Sequence, residues 1–322
     1  MRKAMYEAEV ADEQRKLDPT VNALQERVAE LLGKEAALFL PSGTMCNAIS
    51  FRVHIDKSGD EVIIHEAAHP IVAEAGGPAA ISGAMMKPLV ADGGIFSAEQ
   101  VEAAVRPRDR YMPRSRLLSV EQTTNMGGGR VWPQETLRAV VDVAKRHDMR
   151  THMDGARLMN AVVASGHSAA EHADGFDTAW IDFTKGLGAG VGACMASSAD
   201  LIDQAWRFKQ MWGGSFRQAG TIAAAGLYAL DNNVERLAED HENARFLAEG
   251  LAELPGVEID PSTVETNIVI FKTPDPGGLV DRLAGRVELS KAAGGKAVRA
   301  VTHMDVSRAE VEQALGLIRA AL

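Results

Sequence analysis

A lysine in an unusual setting lies near the middle of the chain. Lys185 follows an apolar stretch, T-A-W-I-D-F at 178–183, that is typical of a buried strand, and four glycines alternate through the turn at 186–192. An ammonium group is costly to desolvate, so the end of a buried strand favours the neutral amine that a carbonyl-condensing nucleophile needs. On this segment alone, a solvated loop lysine is the alternative interpretation.

A second candidate is the turn Pro41-Ser42-Gly43-Thr44, between a predicted strand and a predicted helix. Such a turn offers backbone N–H groups and a hydroxyl to a phosphate. It contains neither the Gly-Lys-Ser/Thr of a P-loop nor G-x-G-x-x-G, and many similar turns bind nothing. By itself it indicates only a possible anion site.

The segment His65-Glu66-Ala67-Ala68-His69 matches the zinc-protease pattern H-E-x-x-H. That pattern binds zinc when both histidines share one face of a helix. Here His65 ends a predicted strand, and Pro70 biases His69 away from the helical conformation. A zinc hydrolase therefore stays a remote alternative, and we expect the His69 ring at the start of the next helix, free to stack on a planar ligand.

Charged residues also occur at or inside other predicted strands. Asp154 ends the strand at 150–153, and Arg157 follows it closely. A simple ion pair between them is the alternative to a role in binding. Arg299 stands inside a strand near the carboxyl terminus, where an edge-strand arginine facing water is the alternative.

The elements that position these residues are strands alternating with helices. Strands are predicted at 36–40, 61–65, 85–90, 117–121, 150–153 and 178–183. This alternation favours a mainly parallel sheet with right-handed crossovers, in which ligands bind beyond the carboxyl ends of the strands. Ser42, His69, Glu121, Asp154 and Lys185 all lie at that predicted edge.

The remainder of the chain predicts a second, smaller domain. Helices are predicted at 199–211, 219–232, 236–254, 278–284 and 307–322, and strands at 257–259, 268–271, 287–289 and 297–301. The helix at 219–232 is almost wholly apolar, so it is buried or packs against another subunit. We predict a large domain at 1–233 and a small α+β domain at 234–322.

Composition excludes several classes of protein. The 322 residues are 46% hydrophobic and 24% charged, which is typical of a globular protein. The net charge of −10, with both signs mixed along the chain, argues against nucleic acid and anionic membranes as partners. Two cysteines and a charged amino terminus argue against a disulfide framework and a signal peptide. We expect a cytoplasmic protein.

Ordered motifs along nearly the whole chain resemble the low-specificity L-threonine aldolases, in the β-eliminating lyase group of fold-type I pyridoxal-phosphate enzymes. These motifs are D-P-T-V-N-A-L-Q (18–25), A-A-L-F-L-P-S-G-T-M-C-N (36–47), A-A-H (67–69), E-A-G-G (74–77), H-M-D-G-A-R-L-M-N-A (152–161), T-K-G-L-G (184–188), F-R-Q-A-G (216–220), T-N-I-V (266–269) and V-R-A-V-T-H-M-D-V-S (298–307). The resemblance implies an α/β fold with a mainly parallel seven-stranded sheet, and pyridoxal 5′-phosphate as cofactor.

The resemblance also implies roles around the cofactor. Lys185 is the expected Schiff-base lysine, and Asp154 is the expected partner that keeps the pyridine nitrogen protonated. His69 is expected to stack on the ring. The phosphate cradle is expected at Ser42, Gly43 and Thr44.

For the substrate, the resemblance implies that Arg157 and Arg299 clamp the carboxylate, a bidentate task for which lysine is a poor substitute. Arg217 matches a position near the cofactor phosphate that reaches a neighbouring subunit, so a homodimer or homotetramer is expected. The implied reaction is the retro-aldol cleavage of a β-hydroxy-α-amino acid to glycine and an aldehyde.

Three departures from the family pattern qualify this expectation. Thr124, an expected substrate contact, stands where the family usually has a histidine, in a loop changed by the glycines at 127–129. This replacement leaves His69 or a water as the base near the β-hydroxyl. Pro70 and Ala73 replace larger side chains, which favours bulkier, phenylserine-type substrates. The chain also starts inside a region that usually carries a serine near the substrate, so the resemblance implies a shortened amino terminus.

Other functions stay open beside the aldolase. The shared motifs also suit a pyridoxal-phosphate enzyme that catalyses β-elimination or transamination, and Thr124 keeps that alternative open. A protein that binds the cofactor but has no catalytic activity is a further alternative.

Overall fold

The computed structural model describes residues 1–322, except for the side chain of residue 293. The six strands predicted in the first 183 residues are confirmed, each within two residues of its expected bounds. The strands of the large sheet are β1 (Ala36–Leu40), β2 (Glu61–His65), β3 (Met85–Leu89), β4 (Ser115–Glu121), β5 (Arg150–Asp154), β6 (Thr178–Asp182) and β7 (Ala193–Ser197).

In the described chain these strands form one seven-stranded sheet in the order β1-β7-β6-β5-β4-β2-β3. The pairs from β3 to β6 are parallel, whereas β7 runs antiparallel to both β6 and β1. It follows that β1 points the same way as β6, and the carboxyl ends of β1, β2, β4, β5 and β6 meet at one edge. The prediction of a mainly parallel sheet is confirmed.

Strand β7 was not predicted. Its sequence, A-C-M-A-S, has no β-branched or aromatic residue, which are the residue types that usually mark a strand. All five residues are buried between β1 and β6. Small side chains are accepted here because the strand is covered on both faces.

The described chain also contains fourteen α-helices. They are α1 (Arg2–Glu7), α2 (Pro19–Leu31), α3 (Gly43–His54), α4 (His69–Val72), α5 (Gly77–Ser82), α6 (Ala98–Ala104), α7 (Gln134–Arg146), α8 (Leu158–Ser165), α9 (Ala169–His172), α10 (Ala199–Met211), α11 (Gly220–Asn232), α12 (Leu237–Ala252), α13 (Pro276–Leu283) and α14 (Arg308–Ala321). Asp18 caps α2, because its carboxylate accepts the N–H groups of Thr20 and Val21.

The main core lies between the large sheet and a set of helices that includes α2, α6, α7, α8 and α11. Phe39, Trp132 and Phe183 are fully buried there, and each large apolar side chain contributes roughly 1.5–3 kcal/mol by leaving water. The apolar helix α11 packs against α1 and α2, which accounts for its lack of a polar face.

The carboxyl-terminal part has its own core. It contains an antiparallel sheet in the order β8-β10-β9, made of β8 (Ile268–Phe271), β9 (Ser290–Ala292) and β10 (Ala297–Val301). The strands predicted at 257–259 and 287–289 are wrong: the first makes a single bridge, between Glu258 and Lys272, and the second precedes β9. Short apolar runs do not distinguish a strand from a packed loop. The domain boundary after residue 233 stays a prediction.

A buried ion pair holds the segment between α1 and α2 in place. Glu13 and Lys209 are paired with almost no exposure, and the ammonium lies 4.5 Å from the ring centroid of Trp206. Glu13 Oε2 also accepts the Phe216 N–H at 2.8 Å, and its own N–H donates to the Arg217 carbonyl. The loop that carries Arg217 is thereby attached to the amino-terminal segment.

Among the described residues, each helix is too short or too polar to cross a membrane.

Candidate active site

A cavity of about 440 Å³ lies at the sheet edge where the strands β1, β2, β4, β5 and β6 end. Eight of the residues proposed from the sequence line it together: Ser42, Gly43, Thr44, His69, Asp154, Arg157, Lys185 and Arg299. Arg299 comes from β10 and the others from the large sheet and its loops. The topology therefore gathers these side chains from five separate segments of the chain.

Lys185 enters the cavity from the loop after β6. Its Nζ lies 2.8 Å from Asp182 Oδ2, and its side chain is 35% exposed. Asp182 is almost buried, and its other oxygen accepts the backbone N–H and the hydroxyl of Thr184. In this structure the amine is thus held by a carboxylate three residues before it, a contact that sequence reasoning missed although the spacing permits it.

Asp154 is buried at the end of β5. Oδ1 accepts the Ala156 N–H at 3.0 Å, and Oδ2 accepts an Asn47 Nδ2 hydrogen at 2.8 Å. Burial raises the pKa of Asp154 to about 7, and the charge of Glu121 adds to the rise. Since none of the described cationic groups forms a salt bridge with it, this carboxylate is poised to receive a positively charged partner from the cavity.

His69 begins α4 and is held at two points. Its backbone N–H donates to Glu121 Oε2, and its Nδ1 lies 2.9 Å from Glu74 Oε1. The hydrogen bond to Glu74, opposed by partial burial, raises the pKa of His69. Because Glu74 is buried and Nδ1 is engaged with it, the Nε2 atom is the ring nitrogen left for a ligand.

The two arginines converge on one neutral oxygen. Asn125 Oδ1 accepts from Arg299 Nη2 at 2.8 Å and from Arg157 Nη1 at 3.2 Å. Burial lowers the pKa of both guanidinium groups, that of Arg299 to about 10. A guanidinium group nevertheless keeps its charge at neutral pH. The N–H of Asn125 is itself held by Glu121 Oε1. Two cations facing a single amide oxygen form a site suited to a carboxylate.

The turn before α3 presents the start of a helix to the cavity. Ser42 caps α3, with Oγ accepting the Met45 N–H. A Cβ on Gly43 would overlap the Trp180 ring and lie 3.2 Å from Asp182 Oδ2, so only glycine leaves this cradle open. The free N–H groups of the first helical turn and the helix dipole favour an anion here.

Two residues proposed for binding lie elsewhere. Thr124 is 3% exposed, its Oγ1 accepts the Arg130 N–H, and it is absent from the described lining of the cavity. The side chain of Arg217 is 65% exposed and pairs with Asp12 at 2.9 Å. Their roles stay predictions, and that of Arg217 depends on a second subunit.

Two residues of the helix after His69 also lie apart from the cavity. Pro70 is buried, and neither it nor Ala73 is among the described residues that line the cavity. Any widening of the pocket by these residues would have to come through neighbouring side chains.

The H-E-x-x-H segment does not form a zinc helix. His65 ends β2 and His69 begins α4. The His65 ring is fully engaged, with Nδ1 accepting the Ala67 N–H and Nε2 donating to the Ala91 carbonyl. Within the described residues, no group of three or more histidine, cysteine or acidic side chains is arranged to hold a metal.

Asn47 was also missed as a site residue. It lies four residues after Gly43 and three after Thr44, about one helical turn. This spacing places Asn47 on the same face of α3 as the cradle. That spacing was the available signal, but an asparagine inside a helix carries no chemistry of its own to draw attention.

Comparison with known proteins agrees with this geometry. A family model described as Beta-eliminating lyase matches residues 1–274. The chain is 39% identical over 325 residues to the low specificity L-threonine aldolase of Escherichia coli (strain K12), covering 100% of this chain and 95% of that protein. It is 37% identical over 330 residues to low-specificity L-threonine aldolase 1 of Arabidopsis thaliana, covering 100% and 92%.

A solved structure of Leishmania major threonine aldolase superposes with a TM-score of 0.80 at 18% identity, covering 97% of this chain and 92% of that one. At that identity the likeness concerns the fold, and it confirms the predicted fold-type I architecture. The chain belongs to the beta-eliminating lyase family and, within it, is similar over its whole length to low-specificity L-threonine aldolases.

Proposed function

We propose that the chain is a pyridoxal-phosphate-dependent aldolase that cleaves a β-hydroxy-α-amino acid to glycine and an aldehyde. The observation that carries the proposal is the arrangement of Lys185, Asp154 and the Arg157–Arg299 pair around one cavity, in a chain similar over its whole length to L-threonine aldolases. An amine, a buried carboxylate and a carboxylate-binding pair are the groups that this reaction requires.

The residues present fit the cofactor. Asp154 is a buried carboxylate whose pKa is raised in the absence of a cation, and a protonated pyridine nitrogen would supply that cation. The open cradle at Gly43, at the start of α3, suits a phosphate group. When bound, pyridoxal phosphate supplies an electron-withdrawing ring that stabilises negative charge on the substrate Cα.

The remaining groups orient the substrate and move its proton. Arg157 and Arg299 would exchange the Asn125 oxygen for the substrate carboxylate, which fixes the rotation about the bonds to Cα. Since Nδ1 of His69 is engaged with Glu74, we expect Nε2 to take the β-hydroxyl proton, directly or through a water. Thr124 is absent from the described lining of the cavity, which leaves His69 or a water as the candidate base.

Product analysis tests the proposal. Cofactor-loaded protein is incubated with L-threonine, L-allo-threonine and L-phenylserine, and glycine and aldehyde are quantified, with Lys185→Ala as the control. We expect glycine from at least one substrate and none from the variant. Pyruvate or a transferred amino group without glycine would replace the aldolase by the β-eliminating or aminotransferase alternative.

A preference for phenylserine is part of the proposal. It rests on Pro70 and Ala73 in place of larger side chains, acting indirectly because neither residue is among those described as lining the cavity. A higher kcat/KM for L-threonine than for L-phenylserine would refute it.

Oligomerisation and a cytoplasmic location belong to the proposal as well. Arg217 and the apolar side chains of Tyr6 and Met211 are exposed on the single chain, which supports a homo-oligomer that would cover them. Free, buried Cys46 and Cys194 support a reducing compartment. Sedimentation of the purified protein tests the first expectation, and fractionation of cells tests the second.

A further inference from the structure

The side-chain amide of Asn47 uses its full hydrogen-bonding capacity inside the protein. Nδ2 donates to Asp154 Oδ2 and to Glu74 Oε1, both at 2.8 Å. Oδ1 accepts from Trp180 Nε1 at 2.9 Å and lies 3.0 Å from His152 Nε2. The residue is 1% exposed, and a primary amide has two donor hydrogens and two acceptor positions, so all four are filled.

The orientation of this amide follows from its partners. The Trp180 indole can only donate, so Oδ1 must face the indole and the amide nitrogen must face Asp154 and Glu74. His152 must then donate from Nε2, which makes its Nδ1 an acceptor. These constraints determine the orientation of the Asn47 amide and the tautomer of the neutral His152 ring.

The same reasoning extends through two more buried residues. His152 Nδ1 accepts the Thr178 hydroxyl at 2.8 Å, and Thr178 Oγ1 in turn accepts from His54 Nε2 at 3.0 Å. Burial lowers the pKa of His54 to about 4 and that of His152 well below its usual value. Both rings are neutral at neutral pH, which is the state that the chain of hydrogen bonds requires.

Asn47 therefore joins two parts of the site. One hydrogen reaches Asp154, and the other reaches Glu74, which holds His69 Nδ1 at 2.9 Å. Asn47 also lies one turn after the Gly43 cradle on α3. A single rigid helix thus connects the anion cradle to the carboxylate that would meet the ring nitrogen and to the histidine that would lie on the ring.

We propose that Asn47 is a positioning residue that holds Asp154 toward the cofactor ring nitrogen and couples it, through Glu74, to His69. This inference rests on the proposed function, because it assigns Asp154 to a pyridine nitrogen. The hydrogen bond from Asn47 orients the carboxylate and stabilises its ionised form. Loss of that bond should weaken the ring-nitrogen contact specifically, while leaving the phosphate contacts in place.

A binding experiment on the cofactor-free protein separates this role from a merely structural one. The Kd is measured for pyridoxal phosphate and for its 1-deaza analogue, in which a C–H replaces the ring nitrogen. The parent protein should prefer pyridoxal phosphate. In Asn47→Leu, which keeps the branching at Cγ but cannot form hydrogen bonds, this preference should fall by about tenfold or more, since a hydrogen bond to a charged group is lost.

Two variants calibrate the measurement. Asp154→Asn should lose the preference, because the charged partner itself is removed. Asn243→Leu removes another mostly buried asparagine, in α12 and outside the described lining of the cavity, and should keep it. Equal weakening of both ligands in Asn47→Leu, or no weakening of either, would overturn the proposal.

Neutron diffraction of the unaltered protein provides a second measurement, should Asn47→Leu fail to fold. Deuterium is expected on Nε2 of His152 and His54, and both Nδ2 deuterons of Asn47 are expected to point at the two carboxylates. A flipped Asn47 amide, or a His152 ring deuterated on Nδ1, would refute the proposal. If the parent protein binds neither ligand, the proposed function fails, and the neutron map still decides whether Asn47 donates to both Asp154 and Glu74.

Discussion

Arg157 and Arg299, which are 142 positions apart in the chain, both donate to Asn125 Oδ1, at 3.2 and 2.8 Å. The Nε atoms of both arginines are buried without a described partner. Like charges so close together are stable only when an acceptor lies between them. Asn125 supplies one neutral oxygen, and a substrate carboxylate would supply two charged ones.

Replacing Arg299 by lysine tests this arrangement. Lysine keeps the charge but cannot form two parallel hydrogen bonds, so we expect Arg299→Lys to raise KM for the amino acid by about tenfold to a hundredfold, with a smaller effect on kcat. Steady-state kinetics measures both constants. Arg319→Lys, at an exposed position of α14, serves as the matched control. An unchanged KM would show that Arg299 does not bind the carboxylate.

The contact between Lys185 and Asp182 predicts a second effect. Asp182 Oδ2 lies beside the Gly43 cradle as well as 2.8 Å from the lysine, so its negative charge opposes a phosphate group. We expect Asp182→Asn to bind pyridoxine 5′-phosphate, which has no aldehyde to react with Lys185, several-fold more tightly. Titration of the cofactor-free protein measures the affinity. Weaker binding would mean that Asp182 organises the cradle through Thr184 instead.

Asp154 predicts how stability depends on pH. Its pKa is about 7 in the folded, cofactor-free protein, whereas an unfolded aspartate has a pKa of about 3.9. Between these values the folded protein holds a proton that the unfolded chain has lost. The free energy of unfolding therefore falls as the pH rises from about 4 to 7, and it stays reduced above that interval.

Asp154→Asn removes this titration. Between pH 4 and pH 8, the unfolding free energy of the variant should rise relative to that of the parent by a few kcal/mol, at most about 4 kcal/mol. Urea unfolding at several pH values measures the difference, and Asp281→Asn, at an exposed position, is the control. Parallel pH profiles for Asp154→Asn and the parent would contradict the assignment.

The buried pair of Glu13 and Lys209 predicts a coupled effect on stability. Burial lowers the pKa of Lys209, and Glu13 opposes that shift. Glu13→Gln leaves an unpaired buried ammonium, so we expect it to lower the free energy of unfolding by about 3–5 kcal/mol.

A double variant, Glu13→Leu with Lys209→Met, should regain much of that loss, because neither charge remains to be desolvated. Denaturant unfolding of the parent, Glu13→Leu, Lys209→Met and the double variant forms the required cycle. If the losses of unfolding free energy in the two single variants simply added in the double variant, the two side chains would contribute to stability independently.

The sequence alone was sufficient for the parts of this protein that depend on local pattern and on ordered motifs. Alternation of strands and helices predicts the parallel sheet, and the segments that end at Ser42, His69, Asp154 and Lys185 all reach its carboxyl edge as expected. The parallel sheet and the edge at which these segments end both follow from side-chain periodicity and chain direction, which the sequence alone contains. Strand β7 escaped prediction because its small residues carry no strand signal.

Contacts between distant segments were decided only by the tertiary structure. Asn47, Asp182 and Asn125 are unremarkable in sequence, yet each bonds to a predicted site residue. The Thr124 hydroxyl accepts the Arg130 N–H, a contact that the sequence did not reveal, and its contact with the substrate stays a prediction. A hydrogen bond depends on the position of two side chains to within an ångström, and that precision arises only when helices and strands have packed.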